Sequence, residues 1–264
     1  MIRLHWWNEA RNFGDELSRL VVQHLSRRWV DWAPVESSHM TAIGSLLATH
    51  LHSQEMWDNY RGVVWGSGAM FAGDQIRLPL ARVCAVRGQS TLEQVASGMS
   101  IPTAVGDPGL FAHELISSHP QNKSLLGIVP HWSDREHPFF RSAVAQHPDV
   151  RLIDPCNDPL TVIQQIAGCQ QVLSSSLHGL VVADSLGIQN RWMRFDSGHE
   201  EIAGSSLFKF HDYFTLWDDE PQTPFSPQPQ LRFVEYLNLG QQRDSNRVTA
   251  ICRDLRQMFP FGPL

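Results

Sequence analysis

The sequence predicts an α/β fold in which parallel β-sheets are covered by helices on both faces. Three observations predict it. Short apolar runs typical of buried strands alternate with amphipathic helical patterns, a polar or glycine-containing turn follows nearly every run, and hydrophobic residues make up 42% of the chain. Strands that alternate with helices in this way form parallel sheets. The 264 residues are enough for one large domain or for two smaller ones.

The first half of the chain contains strand patterns that each end in a polar or glycine-containing turn: residues 2–7, 62–65, 82–86 and 103–105. Apolar spacing predicts helices at residues 16–28 and 41–52, and a third helix begins at residues 90–93 (STLE), which match a capping box. Asp15 stands where the N-cap of the first helix belongs.

A polar stretch at residues 117–123 is a candidate linker, after which the pattern restarts. The second half contains strand patterns at residues 125–129, 150–153, 172–173 and 190–195. Helices are predicted at residues 138–146, 158–167 and 244–258, the second of them from the cap and first-turn proline Asp158-Pro159. We therefore predict two Rossmann-like domains that face a cleft, residues 1–120 and residues 121–264, the latter with a C-terminal helix.

The charge and the cysteine pattern exclude several classes of protein. The formal net charge of −6 argues against a nucleic-acid partner, because binding to phosphates needs a basic face. No apolar run is long enough to span a membrane, and the apolar start at residues 1–7 is too short for a signal peptide. The four cysteines form no CxxC pattern, and the 13 histidines form no compact metal motif. We expect a cytoplasmic protein with reduced thiols and no metal.

Residues 173–188 (LSSSLHGLVVADSLGI) are the most informative stretch of the chain. They indicate a buried strand, a serine turn and a helix whose first turn contains His178. The start of a helix presents unpaired N–H groups and the positive end of the helix dipole, so it suits a phosphate or a carboxylate. A histidine there adds acid–base chemistry. A serine N-cap ahead of an ordinary helix is the alternative.

Further polar residues follow the other predicted strands: Asn12 and Asp15, Gly66–Gly68, Arg87, Asp107 and His131. In open α/β sheets, ligands bind outside the carboxyl ends of the strands. We therefore expect these residues and the serine–histidine turn to form one site.

These clusters, in this order, resemble the polysaccharide pyruvyl transferase family. The matching pieces are residues 12–17 (NFGDEL), 86–88 (VRG), 106–108 (GDP) and 175–179 (SSLHG), and residues 209–213 (KFHDY) resemble a later family segment. The resemblance spans about residues 2–215 and is nearest to the bacterial exopolysaccharide branch, of the xanthan type.

The resemblance implies a GT-B type fold and transfer of pyruvate from phosphoenolpyruvate to two hydroxyls of a sugar. The products are a cyclic ketal and phosphate. It implies no metal, nucleotide or other cofactor, since phosphoenolpyruvate is the donor substrate. The implied acceptor is a lipid-linked oligosaccharide at the cytoplasmic face of the inner membrane, which leaves open a peripheral contact with that membrane.

Three residues are predicted to be catalytic. The planar guanidinium of Arg87 can hold a carboxylate or a phosphate at two points, and its alternative role is that of a surface arginine paired with an acid. His178 suits proton delivery to the enol carbon or to the departing phosphate, and its alternative is a bond to the backbone. Asp15 can accept a proton from a sugar hydroxyl, or it can simply hold its loop as an N-cap.

Substrate-binding roles are predicted for seven further residues: Asn12, Asp107, His131, Ser175, Ser176, Gly179 and Lys209. Asp107, in a tight turn before a proline, has a structural role as its alternative. One departure from the family matters, because many members have an arginine where this chain has Ser176. Arg87, together with Lys209, then has to supply the positive charge for the donor. Trp6, Trp7 and Trp65 are candidates for a sugar subsite, with core packing as the alternative for at least two of them.

Two other functions stay open at this point. A GT-B glycosyltransferase would need groups for a nucleotide sugar, for which Glu200 and Glu201 are weak candidates. A noncatalytic carbohydrate-binding protein is the other. The aromatic and proline-rich sequence after residue 216 has two interpretations, contact with a membrane surface or packing against the first domain.

Overall fold

The structure is a computed structural model that describes residues 1–73, 76–95, 103–118, 120, 124–195, 207–218, 221–227 and 240–262. Its strands form two sheets. The six-stranded sheet has the order β2-β1-β3-β4-β5-β6, with β1 (Ile2–His5), β2 (Val30–Trp32), β3 (Met40–Thr41), β4 (Val63–Trp65), β5 (Arg82–Val86) and β6 (Ala104–Val105). The four-stranded sheet has the order β10-β9-β7-β8, with β7 (Ser124–Val129), β8 (Val150–Leu152), β9 (Cys169–Ser174) and β10 (Gln189–Trp192).

Every pairing between neighbouring strands of these two sheets is parallel, which confirms the predicted α/β class. In the described part of the chain the helices are α1 (Phe13–Ser26), α2 (Gln54–Asn59), α3 (Gln89–Val95), α4 (Pro138–Gln146), α5 (Pro159–Ala167), α6 (Leu177–Ser185), α7 (Phe208–Phe214) and α8 (Ser245–Gln257). Two 3₁₀ helices cover Val35–Ser37 and Pro108–Leu115.

Several helix starts lie where local capping signals put them. Asp158 accepts hydrogen bonds from the N–H groups of Leu160 and Thr161, and Pro159 occupies the first turn of α5. Asp244 caps α8 in the same way. The predicted bounds of α4, α5 and α8 are therefore confirmed to within a residue or two.

The predicted helix at residues 41–52 is wrong. Thr41 ends strand β3, which pairs with β1 and β4, and a loop follows. Gly44 in that loop has φ +118°, a conformation that L side chains rarely adopt and that no helix allows. The loop is anchored instead by a hydrogen bond of 3.0 Å from the N–H of Gly68 to the carbonyl of Gly44.

Two predicted caps are also wrong. Asn12, not Asp15, caps α1, since its side chain accepts a hydrogen bond from the N–H of Gly14. Helix α3 begins at Gln89, so residues 90–93 lie inside it and form no capping box. The N–H of Thr91 donates instead to Asp212, a distant residue that no local pattern identifies.

The strand orders create one switch point in each sheet. From β1 the chain passes to β2 on one side and later returns to β3 on the other, and β7 has the same relation to β8 and β9. Ligands of open α/β sheets bind outside the carboxyl ends of the strands at such points. The loops after β1, β3, β7 and β9 are therefore the places to look for a site.

One hydrophobic core connects the two sheets. It contains Leu17 and Val21 of α1, Phe111 of the second 3₁₀ helix and Val181 of α6. The burial of apolar side chains in this shared core is the main contribution that holds the two sheets together.

The C-terminal helix returns to the first sheet. Its buried face includes Ile251 and Leu255, and the indole N–H of Trp65 in β4 donates to the carbonyl of Leu255 at 2.9 Å. Packing against the first half is thus confirmed for α8. The candidate linker at residues 117–123 lies partly outside the described residues, and Glu200 and Glu201 lie entirely outside them. No helix in the described part of the chain is long and apolar enough to cross a membrane.

Candidate functional site

A cavity of about 260 Å³ lies where the two switch points meet. Its wall is built mainly from the loops after β1, β3, β7 and β9 and from the starts of α1 and α6, with Lys209 added from α7. Predicted site residues that line it are Asn12, Asp15, His131, Ser176, His178 and Lys209. Predicted site residues that do not line it are Arg87, Asp107, Ser175 and Gly179. The sequence thus predicted most of the polar wall.

Asp15 is a buried carboxyl group at the start of α1. The side-chain amide of Asn12 donates to its Oδ2 at 2.7 Å, and Gly44 packs against its Oδ1. Burial raises the pKa of Asp15 to about 6, because a buried carboxylate loses its hydration, while the charges of His178 and Lys209 oppose this rise. A carboxyl group with such a pKa can take up and release a proton near neutral pH.

Lys209 brings a cation to the cavity from α7. The residue is 9% exposed, and burial lowers the pKa of its ammonium to about 8. The negative charges of Asp15 and Asp134 work against this lowering, while the positive charge of Arg87 adds to it. Lys209 therefore remains predominantly protonated at neutral pH and supplies positive charge at the cavity wall.

Arg87 forms a buried ion pair behind this wall, with only 1% of its surface exposed. Its Nε donates to Oδ2 of Asp212 at 2.9 Å, its Nη1 to Ser45 at 2.6 Å and its Nη2 to the carbonyl of Ala69 at 2.7 Å. The pairing with an acid is therefore confirmed, but the expected surface position is wrong, because both partners are buried. Asp212 lies one turn after Lys209 on α7, so the pair fixes the helix that carries Lys209.

His178, in the first turn of α6, is held between two other motif residues. Its Nε2 lies 3.7 Å from Oδ2 of Asp107, and neither of these buried atoms has a hydrogen-bond partner within the described parts of the chain. On its other side the ring packs so closely on Gly14 that any Cβ at position 14 would collide with it. Oδ1 of Asp107 accepts from the N–H of Gly109, so one carboxylate oxygen caps a turn and the other faces the histidine.

Ser175, Ser176 and Gly179, in and after the serine turn, have different roles. Ser175 lies behind the wall and accepts a hydrogen bond of 2.8 Å from the N–H of His131. Ser176 is the N-cap residue of α6, lines the cavity and makes no capping hydrogen bond with its side chain. Gly179 has a packing role, because a Cβ there would collide with Oγ of Ser174. Of these three residues, Ser176 alone is thus positioned to contact a ligand in the cavity.

His131 lines the cavity as a neutral ring. Burial, aided by the positive charge of Lys209, lowers its pKa well below the ordinary value for histidine. Its Nδ1 is 2.7 Å from Oγ of Ser133, which fixes the ring orientation. The residue can therefore exchange hydrogen bonds with a substrate, and Lys209 rather than His131 supplies the charge.

The predicted tryptophans divide between the cavity wall and the core. Trp7 lines the cavity, whereas Trp6 and Trp65 are buried in the core, which confirms the core-packing alternative for two of the three tryptophans. Trp132 also lines the cavity, and it was missed although it follows His131 at the carboxyl end of β7. Its place directly after a strand is the sequence feature that could have identified it. Within the described residues, no group of His, Cys, Asp or Glu side chains is arranged to hold a metal ion.

The chain is similar to known proteins over most of its length. Uncharacterized protein L143 of Acanthamoeba polyphaga mimivirus is 27% identical over 228 residues, 83% of this chain and 75% of that protein. Succinoglycan biosynthesis protein ExoV of Rhizobium meliloti (strain 1021) is 22% identical over 214 residues, 79% of this chain and 62% of that protein. No solved structure matches the chain significantly. The polysaccharide pyruvyl transferase pattern matches residues 63–197, more than half of the chain. The chain therefore belongs to the polysaccharide pyruvyl transferase family.

Proposed function

We propose that this protein transfers pyruvate from phosphoenolpyruvate to two hydroxyls of one sugar in an exopolysaccharide repeat unit. The observation that carries the proposal is the cavity between the two switch points, where Lys209, Asp15 and His178 meet. A chain of this family that gathers a cation, a carboxyl group of raised pKa and a histidine has the groups that ketal formation needs.

The donor carries a carboxylate and a phosphate, so its site needs cations and hydrogen-bond donors. The ammonium of Lys209, the hydroxyl of Ser176 and the positive end of α6 all face the cavity. Lys209 takes the place of the arginine that many family members have at position 176. Arg87 acts as a positioning residue, because its ion pair with Asp212 fixes α7 and thereby Lys209.

The reaction consists of a protonation, the addition of one hydroxyl and the displacement of phosphate by a second hydroxyl at the same carbon. A proton is added to the methylene carbon of phosphoenolpyruvate, and the first sugar hydroxyl forms a C–O bond to the neighbouring carbon. The second hydroxyl forms another C–O bond there as the bond to phosphate breaks. The two hydroxyls together lose two protons, one of which balances the new methyl C–H bond while the other leaves with phosphate. No oxidant or reductant is required.

The residues divide these proton transfers. Asp15, with a pKa of about 6, accepts a proton from an attacking hydroxyl. His178 delivers the proton to carbon or to the departing phosphate. Asp107 orients the imidazole and stabilises it when it is charged, from 3.7 Å away. His131 and Asn12 hold substrate oxygens by hydrogen bonds.

The remaining parts of the proposal concern architecture and place in the cell. Two parallel sheets that share one cavity support a GT-B type arrangement, with residues 1–120 on the acceptor side and residues 121–264 on the donor side. A lipid-linked oligosaccharide is the proposed acceptor, which would place the protein in the cytoplasm or at the cytoplasmic face of the inner membrane. The printed name of the Rhizobium meliloti relative, a succinoglycan biosynthesis protein, supports an exopolysaccharide pathway.

A thermal-shift titration with phosphoenolpyruvate tests donor binding. A ligand at a hundredfold its dissociation constant adds about 2.7 kcal/mol to the stability of the folded form. We expect phosphoenolpyruvate to raise the melting temperature of the wild type and of Arg253→Met, whose arginine is exposed on α8, but not of Lys209→Met. Stabilisation by UDP or CMP instead would indicate a nucleotide-sugar glycosyltransferase.

A further inference from the structure

Two tryptophans from different sheets meet at the cavity. Trp7 follows β1 and Trp132 follows β7, and their ring centroids are 5.5 Å apart with the planes inclined by 35°. Both are only partly buried, and both line the cavity. We call Trp7 and Trp132 the tryptophan pair. Each sheet contributes one ring, so the pair spans the place where the two switch points meet.

The tryptophan pair is not explained by core packing. Trp6, Trp57 and Trp65 are 8% exposed or less and fill the interior, and neither residue of the pair is among the buried core. The pair instead leaves aromatic surface facing a cavity that polar side chains such as Asp15 and Lys209 also line. Aromatic surface held at such a place is typical of a binding site that takes a ligand with both an apolar face and polar edges.

A pyranose ring has that chemistry. Its C–H face is apolar and packs on an aromatic ring, while its hydroxyls project from the edge and need hydrogen-bond partners. Glu9, exposed at the rim, offers carboxylate oxygens as acceptors, and Asp15 lies on the same cavity wall. A sugar stacked on the pair can therefore place two hydroxyls toward the reacting groups.

The size of the cavity supports the same assignment. Its volume of about 260 Å³ is just below the range of about 300–1,000 Å³ that encloses a whole drug-sized ligand. This volume is too small for the donor together with a whole oligosaccharide, so only part of the acceptor can lie inside the cavity. We propose that the tryptophan pair is the subsite that binds one pyranose ring of the acceptor. The proposal rests on the proposed function for the reaction, but sugar binding can be measured without it.

Saturation-transfer NMR with the methyl glycosides of glucose, galactose and mannose tests this subsite directly, with and without phosphoenolpyruvate. We expect transfer to the ring C–H protons of at least one glycoside in the wild type. Trp7→Ala and Trp132→Ala should weaken binding about tenfold, since a lost aromatic stack is worth of order 1.4 kcal/mol. Trp7→Phe keeps an aromatic face and should retain most of the transfer. Trp29→Ala, which removes a tryptophan that is 62% exposed, is the matched control and should bind as the wild type does.

Two results would overturn the subsite: no transfer to any of these glycosides in the wild type, or equal transfer in the wild type and both alanine variants. Melting curves with phosphoenolpyruvate on the same samples separate this failure from that of the proposed function. If phosphoenolpyruvate stabilises the protein but sugar binding is equal in the wild type and the alanine variants, the proposed subsite is wrong and the proposed function stands. If sugar binding needs the pair but the donor never binds, the subsite stands and pyruvyl transfer is wrong.

Discussion

Replacing Asp15 by asparagine is expected to stabilise the protein while it removes activity. Burial raises the pKa of this carboxyl from an ordinary value of 3.8 to about 6. Between these two pH values the folded protein holds a proton that the unfolded chain has already released. Stability therefore falls as the pH rises through this window, and the full loss is present above it. A difference between 3.8 and about 6 corresponds to about 3 kcal/mol.

Urea unfolding of the wild type and Asp15→Asn at pH 4 and pH 7 measures this effect. The asparagine is neutral at both values and can still accept a hydrogen bond from Asn12. The two proteins should differ by less than about 1 kcal/mol at pH 4, where the native carboxyl is protonated. At pH 7 the variant should be more stable by about 3 kcal/mol.

Glu16→Gln is the control, because this residue lies in the same turn of α1 but has 30% of its side chain exposed. It should change stability by no more than about 0.5 kcal/mol at either pH. If Asp15→Asn is no more stable than the wild type at pH 7, the carboxyl does not carry a burial cost. An equal gain at both pH values would show that the gain does not come from ionisation.

Three further variants test other contacts of the site. Gly14→Ala should displace the ring of His178 and lower phosphate release from phosphoenolpyruvate by about 100-fold with an unchanged circular dichroism spectrum, and near-normal turnover would contradict the packing. Asp107→Asn keeps the cap but removes the charge beside His178, so kcat should fall at least about tenfold while the KM for phosphoenolpyruvate holds, and a change in KM alone would indicate substrate binding instead. Asp212→Asn leaves Arg87 charged and buried, so urea unfolding should show a loss of stability of about 3–5 kcal/mol. An unchanged free energy of unfolding would show that the ion pair does not fix α7.

Features that depend on neighbouring residues were predictable from the sequence. The cap and proline at Asp158 and Pro159 fix the start of α5 through bonds within three residues, so the predicted and observed starts agree. Residues 41–52 show the opposite case. Their apolar spacing suits a helix, but pairing of Thr41 with β1 and the left-handed conformation of Gly44 come from the sheet and the cavity. Tertiary contacts thus override a local pattern there.

The site was predictable to the extent that motifs follow strand ends. Asn12 and Asp15 follow β1 and His178 follows β9, so each lies outside the carboxyl end of a strand, and the packing of the two sheets brings them to one cavity. The partner of Arg87 was not predictable, since Asp212 lies 125 positions later in the chain. Arginine alone suggests an anion, and only the fold shows that the anion is a carboxylate of the protein.

The tryptophan pair was predictable only in part. Trp7 was one of three candidates for a sugar subsite, but the sequence did not distinguish it from Trp6 and Trp65, which pack in the core. Trp132 was missed although it follows β7 in the other half of the chain. The common cavity of Trp7 and Trp132 becomes visible only when both switch points are in place. Exposure, rather than composition, is what distinguishes a binding tryptophan from a packing one.

The most direct test of pyruvyl transfer at this cavity is carbon-13 NMR of the purified protein with an extract of lipid-linked oligosaccharides. The donor is phosphoenolpyruvate labelled at its second carbon. We predict a ketal carbon signal that grows in step with inorganic phosphate, and no such signal with His178→Ala or Lys209→Met. Label that stays in phosphoenolpyruvate or appears only as free pyruvate would contradict the account, and so would a ketal signal that persists in both variants.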